Sequence, residues 1–295
     1  MVPRRVVRLA VLCTAFCFLA VSLAPAQQKA AGTYYNTVKQ KLKEGKQVVG
    51  ITISDFEPET YCASANSGFD FVWIEMQHSD LTYSETARMI ASCPHSSAIP
   101  FIRVPDATEG DIQKATDIGA LGIILPMVDT VEKVQNAVKF ANYPPTGKRS
   151  QGGGQYRELW GDGYRQTAND NMMIVAMIEN PEGVAIVDKI AAVPGVDVIF
   201  AASTDLASFS GFRQRQPQYE ALITRIHDVT MKAGLVLAGP LAWKDQKERP
   251  DFRFFQGPGP AALIRAGADV TLGKAPAGQQ PARSGIAETE GLERK

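Results

Sequence analysis

Residues Phe69 to Asp80 read FDFVWIEMQHSD, a nearly continuous apolar run that ends in a carboxylate, an amide and an imidazole. An apolar run without polar alternation is the pattern of a strand covered on both faces, as in a parallel sheet. Such a strand ends in polar groups where its end faces something polar. The chain holds three histidines, so the placement of His78 at this strand end bears on chemistry.

Working outward, similar runs recur: Val48–Ile53, Phe69–Ile74, Ile99–Val104, Gly122–Pro126, Met173–Ile178, Val196–Phe200, Leu235–Ala238 and Phe252–Phe255. Between them lie stretches with helical spacing, at Ser84–Ala91, Asp111–Asp117, Val131–Ala141, Pro181–Ala191 and Tyr219–Lys232. An entry helix, Thr33–Glu44, precedes the first strand and closes at Gly45. Eight strand–helix units of this size predict an α/β fold, a (β/α)8 TIM barrel. A doubly wound open sheet is the alternative, but SDFEPET stands after the first strand where a dinucleotide site needs a Gly-rich turn.

The ends of the chain read differently. Arg4, Arg5 and Arg8, the apolar stretch Leu9–Leu23 and Ala24-Pro25-Ala26 follow the pattern of a secretory signal peptide over residues 1–26. The apolar stretch is shorter than the roughly 20 residues of a membrane span. The expectation is an exported protein, periplasmic or secreted, with no membrane association after cleavage. A barrel domain is expected over 27–274, and a polar, Gly/Pro/Glu-rich tail over 275–295. Without residues 1–26 the chain has 28 basic and 31 acidic residues, a net charge of −3, so no basic excess serves nucleic acid. Only Cys62 and Cys93 remain, too few for a disulfide framework, and two separate buried thiols are the expectation. Pro144–Gly163 is a long loop, and Trp160 and Tyr164 are expected as a lid over the site or as a subunit contact.

In a TIM barrel the chemistry sits at the C-terminal strand ends. Those positions hold Glu75, Gln77 and His78 after the second strand, Arg103 after the third, Glu179 after the fifth and Asp205 beyond the sixth. Taken singly, Glu179 reads as a first-turn acid and Asp205 as a helix cap. Gathered on one rim, they form a cluster whose burial is costly without a ligand or an ion. Two carboxylates on adjacent strand ends suit a hard divalent cation, Mg2+, Mn2+ or Co2+, with water and substrate oxygens completing the shell. Zinc fits less well, since no His or Cys joins the pair. A glycosidase pair would leave His78 and Arg103 without a role. Schiff-base chemistry needs a barrel lysine; none of the eight runs holds one, although Lys148 and Lys274 lie outside them.

Several motifs carry a resemblance: IEMQH at 74–78, PFIRVP at 100–105, IQKATDIGALGIILPMV at 112–128, NYPPTGKR at 142–149, MIEN at 177–180 and FAASTDLA at 200–207. In order and spacing the chain resembles the HpcH/HpaI aldolase / citrate lyase family over Asn36–Gly273, and within it the class II 2-keto-3-deoxy acid aldolases of the 4-hydroxy-2-oxoheptanedioate type. The resemblance implies a barrel assembled as a homo-oligomer, a trimer or hexamer. It implies reversible cleavage of 2-keto-4-hydroxy acids to pyruvate and an aldehyde. It assigns Glu179 and Asp205 to the metal, Arg103 to the keto oxygen, His78 to acid/base work and Asp117 to the role of acidic partner of His78. It places the substrate carboxylate at the backbone N–H groups of Ser203 and Thr204. The chain departs from the family at Glu75-Met76-Gln77-His78, where relatives carry D-G-E-H. Met177 replaces an amide, and Ala202-Ser203 replaces a Gly-Pro pair. The alternatives to an aldolase are an exported keto-acid-binding protein and a diverged, citrate-lyase-like enzyme on the same barrel.

Overall fold

The structure is a computed structural model that describes residues 35–274. The signal-peptide and tail expectations, at 1–26 and 275–295, lie outside the described residues. The chain runs through α1 (Thr37–Lys43), β1 (Val48–Ile53), α2 (Pro58–Ala65), β2 (Phe71–Glu75), α3 (Tyr83–Ser92), β3 (Ile99–Arg103), α4 (Glu109–Asp117) and β4 (Gly122–Leu125). It continues through α5 (Val131–Ala141), α6 (Tyr156–Trp160), α7 (Tyr164–Asn171), β5 (Met173–Ile178), α8 (Pro181–Ala185), α9 (Val187–Ala191) and β6 (Val198–Ala201). The last elements are α10 (Ser203–Ser210), α11 (Pro217–Lys232), β7 (Val236–Pro240), β8 (Phe252–Gln256) and α12 (Pro260–Thr271). Every strand pairs parallel with its neighbour in sequence, and β8 closes on β1. The expected TIM barrel is the observed fold.

Period-two alternation divides each strand between two cores. Phe71, Trp73, Phe101, Val175, Met177, Phe200 and Phe254 fill the barrel interior. Ile51, Ile53, Val72, Ile74, Ile102, Ile123, Ile174 and Ile199 meet the helices outside. Aromatic rings supply much of the interior: Phe71 stacks on Phe254 at 4.3 Å, and Trp73 meets Phe200 edge-on at 5.4 Å. Glycines make room for them. A Cβ on Gly122 would lie 1.9 Å from the Phe101 ring.

Helix starts are set locally. Thr82 and Glu85 form a reciprocal capping box on α3, Thr108 and Thr130 cap α4 and α5, and Asn180 caps α8. The entry helix begins later than expected, because Asn36 is its cap; the Asn36 amide also bonds the carbonyl of Asn171 at 2.7 Å. The single helix expected over Pro181–Ala191 is two short ones that meet at Ile186.

Two expectations are corrected. Cys62 and Cys93 form a disulfide, with Cα atoms 5.3 Å apart, rather than two buried thiols. Cys62 lies on α2 and Cys93 caps the C-terminus of α3, and the packing of those neighbouring helices brings them together. The segment 144–163 is not a lid. It follows α5, which runs from the strand C-termini to their N-termini, so it covers the barrel floor, and its end is helical as α6. Trp160 donates to the Gly119 carbonyl and stacks on Tyr35, and Tyr164 is buried against Arg149.

Candidate active site

Parity along the strands brings the polar groups together. Glu75 and Arg103 end β2 and β3 and are register partners; both share the inward phase of Trp73 and Phe101. Glu179 follows β5 in the inward phase of Val175 and Met177. All three are nearly sealed from solvent, at 5, 7 and 1 % exposure.

Glu75 is the hub of this rim. Its Oε2 lies 2.5 Å from Arg103 Nε and accepts from Trp73 Nε1 at 3.1 Å. The Arg103 Nε–H is angled away from a hydrogen-bond line, so charge holds that pair. Oε1 accepts from the backbone N–H groups of Gln77 and His78 at 2.9 and 3.0 Å. The His78 side chain is exposed at the rim. The Arg103 guanidinium also sits 5.8 Å above the Trp73 ring and 3.8 Å from the Met177 sulfur, a weak acceptor.

Glu179 and Asp205 face each other. Asp205 lies in the first turn of α10, where the helix dipole favours a carboxylate. Burial pushes the Glu179 carboxyl up to about 7; the Asp205 charge and hydrogen bond push the same way, while the Met127 N–H and Arg103 oppose. Met127 reaches Glu179 Oε1 through a left-handed backbone at φ +50°, and Lys133 Nζ holds the Met127 carbonyl at 2.7 Å. A buried carboxylate against a second one is the environment that a bound cation relieves. The donors are all hard oxygens, and among the described residues no group of three or more His, Cys, Asp or Glu offers a richer metal site. The pair therefore fits a hard divalent cation that keeps positions open for other oxygens.

Ala202 caps α10 without a side-chain bond, so the first N–H groups of the helix, on Ser203 and Thr204, stand at the rim. Tyr219 Oη donates to the Ser203 carbonyl at 3.2 Å and ties the start of α11 to this corner.

Asp117 is elsewhere. It ends α4, shortly before β4, at the N-terminal end of the strands. There Arg149 Nη2 and Gln113 Nε2 bond its two oxygens, each at 2.8 Å. Within one chain it does not approach His78. Glu75, to which the sequence reading gave no role, is the residue that joins Arg103 to the His78 turn. Its signal was the inward parity it shares with Trp73. A cavity of 360 Å³ at the barrel floor, lined by Lys39, Leu42, Asp197, Met231 and Arg253 among others, is remote from this rim.

The model of the HpcH/HpaI aldolase/citrate lyase family matches residues 53–239. The chain belongs to that family. It is 33% identical over 210 residues to a hydroxypyruvate/pyruvate aldolase of Roseobacter denitrificans, covering 68% of this chain and 82% of the relative. It is 28% identical over 223 residues to a 2-keto-3-deoxy-L-rhamnonate aldolase of Salmonella gallinarum, covering 70% and 84%. Among solved structures, an HpcH/HpaI aldolase/citrate lyase family protein from Burkholderia cenocepacia superposes with a TM-score of 0.72 at 26% identity, covering 81% of this chain and 98% of the other.

Proposed function

We propose that the protein is a class II aldolase, a divalent-metal-dependent carbon–carbon lyase that reversibly cleaves 2-keto-4-hydroxy acids to pyruvate and an aldehyde. The observation that carries the reading is one rim holding the buried Glu179 against a half-buried Asp205, a buried guanidinium and an exposed imidazole. The aldolase names of the relatives agree with it.

Glu179 and Asp205 would hold Mg2+, Mn2+ or Co2+, which would act as a Lewis acid on the keto acid. The N–H groups of Ser203 and Thr204 receive the substrate carboxylate. Arg103 faces the keto oxygen and stabilises the negative charge that gathers there. His78, whose imidazole can accept and return a proton, takes the proton from the C4 hydroxyl. The C3–C4 bond then breaks, the aldehyde leaves, and a proton returned to C3 of the enolate gives pyruvate.

Assembly and export belong to the same reading. Helix α12 is amphipathic, yet none of its side chains is buried; Ile264 is 70 % exposed and Val270 53 %. An apolar face of this kind suits a second copy of the chain, and the protein functions as a homo-oligomer. The pairing of His78 with Asp117 that the family resemblance implies needs Asp117 of another copy. The Cys62–Cys93 disulfide suits an oxidising compartment, in keeping with export.

The test is release of pyruvate from 4-hydroxy-2-keto acids by chelator-stripped protein given back each metal. Metal-restored release that Glu179→Ala and His78→Ala both lose supports the reading. Chelator-resistant release trapped by borohydride would assign the chemistry to a lysine instead.

A further inference from the structure

We infer that the cavity at the barrel floor is a second binding site, which takes a small monocarboxylate with an apolar body on the guanidinium of Arg253. The inference does not rest on the aldolase reading of the rim. Arg253 is where β8 departs from a regular strand. Leu237 pairs with Phe252 and the next residue, Ala238, pairs with Phe254, so Arg253 is the extra residue of a β-bulge. Packing agrees. Residues two apart on a regular strand share a face, yet Phe252 joins the outer core and Phe254 the interior. A bulge re-aims the side chain it carries. Here the guanidinium lines the floor cavity and reaches the Gly45 turn, where Nη1 would lie 3.5 Å from a Cβ on Gly45.

The fold makes no use of that guanidinium. Among the described residues Arg253 has no hydrogen bond and no ion pair. The carbonyls at the end of α1 are already taken by backbone donors: Glu44 donates to Gln40, Gly45 to Leu42 and Lys46 to Lys41. No capping role is left for a side chain there. The acids of the cavity have their own partners. Asp197 Oδ1 meets Lys39 Nζ at 3.2 Å, and its Oδ2 accepts from the Ile174 N–H at 2.9 Å. Asp251 lies 2.9 Å from His227 Nε2. Arg253 is thus a cation without a counter-charge beside a cavity, and its planar fork of N–H donors matches a carboxylate. The rest of the wall is apolar, with Leu42, Met173, Met231, Val236 and Leu237, and methionine adapts to an irregular shape. At 360 Å³ the cavity is at the small end of small-molecule sites, so the apolar body is compact. A phosphate would leave these walls unused and would bring a second negative charge toward Asp197 and Asp251.

The probe is hexanoate, titrated into the full chain by calorimetry beside hexanamide, which has the same body without the charge. Wild type should bind hexanoate saturably, and hexanamide at least tenfold more weakly. Arg253→Gln should weaken hexanoate at least tenfold and Arg253→Lys by a smaller factor. Met231→Trp fills the cavity from the exposed side of α11, where folding is not at risk, and should also weaken hexanoate at least tenfold. Glu179→Ala, which alters the rim, should bind within twofold of wild type. No saturable hexanoate binding would overturn the proposal, as would equal affinity for hexanamide, or Arg253→Gln and Met231→Trp both within twofold of wild type. Loss of binding in Glu179→Ala would place the acid on the rim and overturn it too.

Discussion

Reduction of the Cys62–Cys93 bond should destabilise the protein by a predictable amount without harming the rim. The cysteines are 31 residues apart, and the loop they close contains β2, the His78 turn and α3. Chain-entropy reasoning for a loop of that length gives a stabilisation of about 3.7 kcal/mol at 25 °C. For a domain of this size, that corresponds to a fall in Tm of about 7–15 °C. Both cysteines lie toward the ends of α2 and α3 remote from the strand C-termini, so kcat at 25 °C should be unchanged. The assay is thermal and urea unfolding of oxidised protein with and without a phosphine reductant, beside the double variant Cys62→Ser/Cys93→Ser. Thiol titration establishes that reduction is complete. A Tm fall below 2 °C after full reduction, matched by the double variant, would refute the reasoning. A loss of kcat at 25 °C would refute the claim that the rim is insulated from the bond.

Further outcomes follow from other parts of the fold. Gly122→Ala forces a Cβ to within 1.9 Å of the Phe101 ring and should cost about 1–3 kcal/mol in urea unfolding. Gly153→Ala, whose Cβ would meet nothing within 4 Å, should stay within about 0.5 kcal/mol of wild type. His227 bridges Asp228 and Asp251 at 2.8 and 2.9 Å. Burial pulls its pKa down, but the two carboxylates outweigh it, and the folded-state value is raised. The sign follows: this stabilisation is complete below the ordinary histidine value of about 6.5 and is lost as pH rises through the raised one. The urea midpoint should therefore lose a small contribution on that rise, and His227→Gln should remove that part of the slope.

The barrel was legible because parallel strands buried on both faces leave unbroken apolar runs, and all eight runs became strands. Their ends drifted by a residue or two, as at Val198–Ala201 and Val236–Pro240, because pairing with neighbours sets the last ladder bond and composition does not. Arg103 and Glu179 were legible through parity and strand-end position. The partner of Arg103 was not, because Glu75 stands beside His78 in sequence and only the register of β2 against β3 turns it toward the guanidinium. The placement of 144–163 was in fact available: a loop that follows a helix and precedes a strand belongs to the floor of a β/α barrel. The disulfide was not, because the contact of α2 with α3 depends on packing that no local pattern in the chain encodes.

The central claim is that this rim forms and stabilises a pyruvate enolate with metal assistance. Exchange of the pyruvate methyl protons in D2O, read by mass spectrometry, tests it without knowledge of the aldehyde. Chelator-stripped protein should exchange at the uncatalysed rate. Mg2+, Mn2+ or Co2+ should restore exchange in wild type and not in Glu179→Ala. Equal exchange in the presence of chelator, or none with any of the three metals, would contradict the account.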